Sequence, residues 1–338
     1  MNNRSSRIAA AVLALLVAAC GGGDSGDTTA AEPLTTTSRA TTTTTTAMAT
    51  TTSEAAGTSF VGADGVETTI MDVSRIVSLN GDITEVIFEL GLGENVIGVD
   101  VTTTYPPEAA ALNDSGQTVG FAQQLTPEAV LALEPTLVIG DTQVAPPEAI
   151  EQLRDAGVPV VVIETQVTLD GVEAKILDLA EILGAQDEGR ALAARVNGEI
   201  ESAQARVANE TSDPVVAFVY VRGPQVVFLF GAGMPTQAMI EGAGAVDAGA
   251  AAGVAGPAPL TPEALVASAP EVIVLPEAGL AAIGGVEAFV GLPGVADTPA
   301  AQTGRLLAYD EAFFFNLGPR VGEALDRFIS DLYPDLTG

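Results

Sequence analysis

The sequence predicts two Rossmann-like α/β lobes with parallel sheets, joined by one long backbone helix and enclosing a ligand cleft. Three observations carry this. The stretch "LTPEAVLALEPTLVIG" at 125–140 returns as "LTPEALVASAPEVIVLP" at 260–276, a duplication of one unit and not a solenoid period. "RIVSLNGDITEVIFELGLGENVIGVD" at 75–100 switches from a strand pattern to a helical one and back, the signature of a βαβ unit. Residues 171–207 then hold apolar residues at helical spacing, with Val172, Ile176, Leu179 and Leu183 followed after Gly184 by Leu192, Val196, Ile200 and Val207.

Taken in order, the first lobe (60–170) opens with a strand at 75–79, a helix over 83–90 and a strand at 96–99. "TTTYPPEAAALNDSG" follows as a loop, with Tyr105 ahead of two prolines. In the repeat, Thr126 is expected to cap the helix, Pro127 suits the first helical position, and Glu128 sits where the helix dipole favours negative charge. Thr261, Pro262 and Glu263 read the same way. Each short helix stops near a proline, Pro135 or Pro270, and leads into a buried strand at 137–140 or 272–275. "LRDAGVPVVVIE" supplies a helix ending at Gly157 and a strand at 158–163. The linking segment 171–207 reads as one long helix, with a kink allowed at Gly184. The second lobe (208–338) begins with two strands around Gly223-Pro224 and closes with a helix over 319–332.

The N-terminus specifies the compartment. Arg4 and Arg7 precede an apolar run too short to span a bilayer, and the run ends in Val17-Ala18-Ala19-Cys20-Gly21, a lipoprotein signal over 1–20 in the bacterial lipobox pattern. Cys20 is the single cysteine, so its thiol is free to carry lipid. Residues 21–59, rich in Thr, Ser and Ala, cannot bury enough apolar surface to offset their ordering entropy and read as a disordered tether. The expected location is therefore extracytoplasmic, anchored to the cell membrane.

With 44 acidic and 13 basic residues, the net charge of −31 argues against nucleic acid as a partner. The absence of histidine excludes a Ser-His-Asp triad, His-ligated zinc and bis-histidine haem. No nucleophile elbow or phosphate loop supports an enzyme, so a cell-surface lipoprotein enzyme is the reading the residues support least.

The order "RIVSLNGDITEVIFELG", "LTPEAVLALEPTLVIG", "LDGVEAKILDLAEILGA" and "GLPGVADTPAAQTGRLLAYDE…LGPR" resembles the haem (hemin) substrate-binding proteins of ABC importers. These stand within the helical-backbone class that also serves siderophores and cobalamin. The resemblance implies a monomeric, non-enzymatic receptor that delivers haem, its cargo and not a catalytic cofactor, to an ABC permease dimer with its ATPase. It implies that Glu128 and Glu263 dock onto permease arginines, and that no metal other than the cargo's is held.

It also implies that Tyr220, in "VYVRG", ligates ferric haem iron while Arg222 bonds the phenolate. Strand alternation supports this by turning both side chains to one face, and a guanidinium favours the ionised phenol. Phe121, in "TVGFAQQL", stands where that family usually has a first-lobe tyrosine or histidine. Phenylalanine cannot ligate iron, so Phe121 is expected to pack on the porphyrin, with Tyr105 a polar contact or substitute ligand. Phe313, Phe314 and Phe315 are candidates to line the cleft, Phe314 foremost, and Met234 is a candidate soft ligand or simple packing. A ferric siderophore or cobalamin is the alternative cargo. The linking helix predicts little opening between the lobes.

Overall fold

The computed structural model describes residues 57–336 other than Pro224. Cys20, the signal segment 1–20 and the expected tether up to residue 56 lie outside the described residues. The body begins slightly earlier than expected, with strand β1 (Thr58–Val61) and its antiparallel partner β2 (Glu67–Ile70). This hairpin leans on the first lobe: Ala63 N–H donates to the Val162 carbonyl at 2.7 Å, and Arg154 pairs with Asp64 at 2.7 Å.

The first lobe is a four-stranded parallel sheet of β3 (Ile76–Ser78), β4 (Val96–Val99), β5 (Leu137–Asp141) and β6 (Val160–Ile163), in the order β4-β3-β5-β6. Its strands β3, β5 and β6 are buried throughout, as continuous Val and Ile runs require when helices cover both faces.

The second lobe contains β7 (Val215–Val221), β8 (Val227–Phe230), β9 (Val246–Asp247), β10 (Pro257–Pro259), β11 (Val272–Pro276) and β12 (Leu306–Tyr309). Its parallel strands run β9-β7-β11-β12, the same relative order as in the first lobe, so the duplicated sentence marks a duplicated topology. The second sheet is not purely parallel, however. β7 runs seven residues where β3 runs three, and its extension pairs antiparallel with β8, which pairs antiparallel with β10.

The linking segment is also more elaborate than one long helix. It forms two helices, Gly171–Leu183 and Gln186–Val207, that fold back on each other. Gly184 takes φ 71°, a left-handed conformation that ends the first helix and reverses the chain at little cost without a Cβ. Contacts between the arms fix the antiparallel sense: Asn197 donates to Glu173 at 2.7 Å, and Gly189 lies against Ala180. The second arm, 22 residues or roughly 33 Å long, packs along the terminal helix Val321–Leu332, where Gly322 lets the backbones approach.

One hydrophobic core runs through both lobes. It joins Ile76, Ile83 and Ile139 of the first lobe to Ile176 and Val196 of the backbone helices and to Phe218, Phe314 and Phe328 of the second. The opposite sheet faces have their own smaller cores. Two ion pairs fasten the same junction. Lys175, almost wholly buried, bonds the Asp82 carboxylate and donates to the Leu317 carbonyl at 3.1 Å. Arg320 grips Glu85 with two bonds, at 2.9 and 3.1 Å. Asp82 and Glu85 share the helix Gly81–Glu89 of the first lobe, whereas Leu317 and Arg320 belong to the second.

Thr126 does not cap its helix through its side chain, whereas Thr261 does, accepting from the Ala264 N–H at 3.2 Å. The expectation for Thr126 is thus corrected: proline at the first helical position and the Ala129 N–H bond to the Thr126 carbonyl start that helix.

Removing one partner from a buried ion pair strands the other charge. Lys175→Met is expected to cost about 3 kcal/mol or more of unfolding free energy in denaturant titrations, and Asp82→Leu on top of it to recover most of that loss.

Asp100, 1% exposed beyond β4, has its carboxyl pushed up to about 7, chiefly by burial, against the opposing bonds from Thr102. Because the folded value lies above the unfolded one, this group's contribution is full in acid and is lost as pH rises towards 7. The melting-temperature advantage of the wild type over Asp100→Asn should therefore shrink between pH 5 and pH 8.

Candidate functional site

Tyr220 and Arg222 sit at the end of β7, on the extension that the first lobe lacks. Alternation places Phe218 and Tyr220 on the face of the shared core, while Val219 and Val221 are buried in the other. The pairing Tyr220↔Phe228 sets the register, and the Phe230 ring stacks against Tyr220 with centroids 5.3 Å apart. Behind it, Phe218 and Phe315 lie 5.2 and 5.8 Å from Phe230. Tyr220 is therefore held by an aromatic wall with its hydroxyl at the rim.

Three polar groups meet there. Arg222 Nε donates to the Tyr220 hydroxyl, and its terminal nitrogen donates to both oxygens of Glu311, at 3.1 and 3.0 Å. The Tyr220 hydroxyl lies 3.3 Å from Glu311 Oε1. Glu311 opens the helix Glu311–Phe315, whose start is fixed by Asp310 accepting from the Phe313 N–H at 3.0 Å.

Arg222 favours the phenolate, as expected, but it does not act alone. Burial and then the Glu311 charge push the Tyr220 hydroxyl above its ordinary value, outweighing Arg222. With no metal on its oxygen, the phenol therefore keeps its proton at neutral pH.

The other expected residues separate. Phe121 is 43% exposed before the turn Ala122–Gln124, so its ring is free to be covered. Tyr105 lies with its ring centroid 3.6 Å from the Arg320 guanidinium, in a cavity of about 350 Å³ lined also by Tyr309, Phe313 and Arg327. Phe313 reaches Arg320 at 5.3 Å, so this short helix touches the Tyr220 site with one residue and the junction with another. Phe314 is corrected: at 2% exposure, between Tyr309 and Phe328, it is core and lines no cleft. Met234 is half-buried against the shared core, which is packing. Glu128 and Glu263 are exposed at the starts of topologically equivalent helices.

The residue that sequence reasoning missed is Glu311. It stands 89 positions from Arg222, inside "EAFFFNLGPR", and its one local signal was a carboxylate beside a helix-capping aspartate.

Two α/β lobes on a helical backbone, with a built polar group at one strand end, have the architecture of a ligand-capturing binding protein. The chain belongs to the periplasmic binding protein family, whose model matches residues 76–312. It is 27% identical over 264 residues to the Bacillus subtilis ABC transporter substrate-binding lipoprotein YvrC, covering 77% of this chain and 80% of that one. It also matches the vitamin B12-binding protein of Vibrio campbellii, 28% identical over 163 residues, 48% of this chain and 57% of that protein. Among solved structures, the periplasmic haem-binding protein RhuT from Roseiflexus sp. RS-1 superposes with a TM-score of 0.75 at 41% identity, covering 79% of this chain and all of that one. The haem-binding protein HmuT gives 0.76 at 36% identity, with 83% and 91% covered. HmuT has also been solved with a tyrosine or an arginine, two positions apart, or a histidine replaced by alanine. This protein is accordingly a substrate-binding component of an ABC transporter, and it works outside the cytoplasm.

Proposed function

We propose that this protein captures ferric haem and delivers it to an ABC permease, with the iron on the Tyr220 oxygen and Arg222 supporting it. The observation that carries the reading is the Tyr220–Arg222 pair: one strand face, direct contact, and an aromatic wall behind it. The donor set fits the cargo, since ferric haem accepts a tyrosine oxygen and Phe230 and Phe315 offer the macrocycle apolar surface. The resemblance to the solved haem-binding proteins RhuT and HmuT supports it. Phe121 packs on the porphyrin and Tyr105 stays with Arg320, on this reading. Cys20 carries the lipid anchor, and the receptor acts as a monomer.

A corrinoid is the second reading. It is favoured by the vitamin B12-binding relative and by a first lobe that presents Phe121, not a ligand, to the cargo.

The discriminating test is optical. Hemin added to the full-length protein should give a high-spin ferric spectrum with a tyrosinate band, and Tyr220→Phe should abolish that band. No specific haem spectrum, with tight cobalamin binding instead, would favour the second reading.

Glu128 and Glu263 serve as the docking carboxylates, because rigid helix starts meet arginines with little reorganisation. Replacing both with arginine should cut stimulation of the permease ATPase by about tenfold or more, as like charges meet across the interface, yet leave hemin affinity within about twofold.

A further inference from the structure

Glu311 is part of the Tyr220 group but has no task in the reading above. Its position is built: Asp310 caps the helix start, and Phe314 anchors the helix in the core. From there its carboxylate accepts two bonds from Arg222 and approaches the Tyr220 hydroxyl. Arg222 is thereby divided, its Nε serving Tyr220 and its terminal nitrogen serving Glu311.

We infer that Glu311 is a built-in competitor of the cargo, a carboxylate that holds Arg222 and Tyr220 when the receptor is empty and weakens haem binding so that haem can be handed on. The inference rests on Tyr220 being the iron ligand. When iron binds, the Fe–O bond forms as the axial water of ferric haem leaves and the phenol O–H bond breaks, the proton passes to solvent, and the iron stays ferric. The resulting phenolate would stand 3.3 Å from a carboxylate oxygen in a partly desolvated site. Two like charges so close repel, and one guanidinium cannot neutralise both fully. Glu311 must therefore withdraw, and the bonds it gives up to Arg222 oppose loading. As iron leaves, the same carboxylate recaptures Arg222 and favours release. Glu311 is thus a positioning residue for affinity and not a ligand.

The test compares wild type, Glu311→Gln and Tyr220→Phe in the full-length protein, using hemin, iron-free protoporphyrin IX and transfer of haem to apomyoglobin. Glu311→Gln should bind hemin about tenfold more tightly or better, chiefly through slower transfer, and should keep the tyrosinate band. Its affinity for iron-free protoporphyrin, which forms no phenolate, should be unchanged. Unchanged or weaker hemin binding, while Tyr220→Phe still abolishes the band, would overturn the competitor role and leave the ligation reading standing. Equal tightening for the iron-free ring would also overturn it. A band that survives in Tyr220→Phe would overturn the ligation reading and this inference together.

Discussion

The junction between the lobes rests on charge buried in the wrong place for an ordinary core. Asp82 and Glu85 point from one first-lobe helix into the seam, where Lys175 and Arg320 meet them. Lys175 also holds the carbonyl of Leu317, a residue at φ 41°, where a side chain costs about 1 kcal/mol or more. Such pairs gain little free energy over a hydrophobic seam, but they are intolerant of displacement, because a separated charge is left uncompensated. Combined with a core that is continuous through both backbone helices, they make wide hinge opening expensive. On the proposed reading the cleft is therefore shaped by its walls more than by closure, and affinity is adjusted by the side chains at its rim.

The two lobes are variations on one unit, and function follows from where they differ. Both sheets place their strands in the same relative order, and both repeats deliver a glutamate to the start of the helix before a central strand. The second lobe alone lengthens its first strand and pairs the added residues with β8. That addition carries Tyr220 past the parallel sheet and gives it Phe230 as a neighbour. On the proposed reading, symmetry serves the partner surface and the departure from symmetry makes the ligand site.

Much of this could be read from residue patterns because the determinants are local. Buried parallel strands announce themselves as Val and Ile runs, and Tyr-x-Arg at a strand end fixes a shared face through the two-residue pleat. What could not be read depended on distant contacts. Gly184 looked like a kink because helical spacing resumes after it; only packing between Ala180 and Gly189 shows that the chain turns back. Phe314 could not be told from its neighbours, since which phenylalanine of three faces the core depends on where Asp310 starts the helix. The balance at Tyr220 is hidden for the same reason: Arg222 is visible two positions away, whereas Glu311, which counters it, comes from a different element.

The most direct test of this account is a crystal structure of the protein with hemin bound. It predicts the iron coordinated by the Tyr220 oxygen, Arg222 bonded to that oxygen, and Glu311 turned away from both. Iron held by a first-lobe side chain, or a ring bound with Tyr220 still bonded to Glu311, would contradict it.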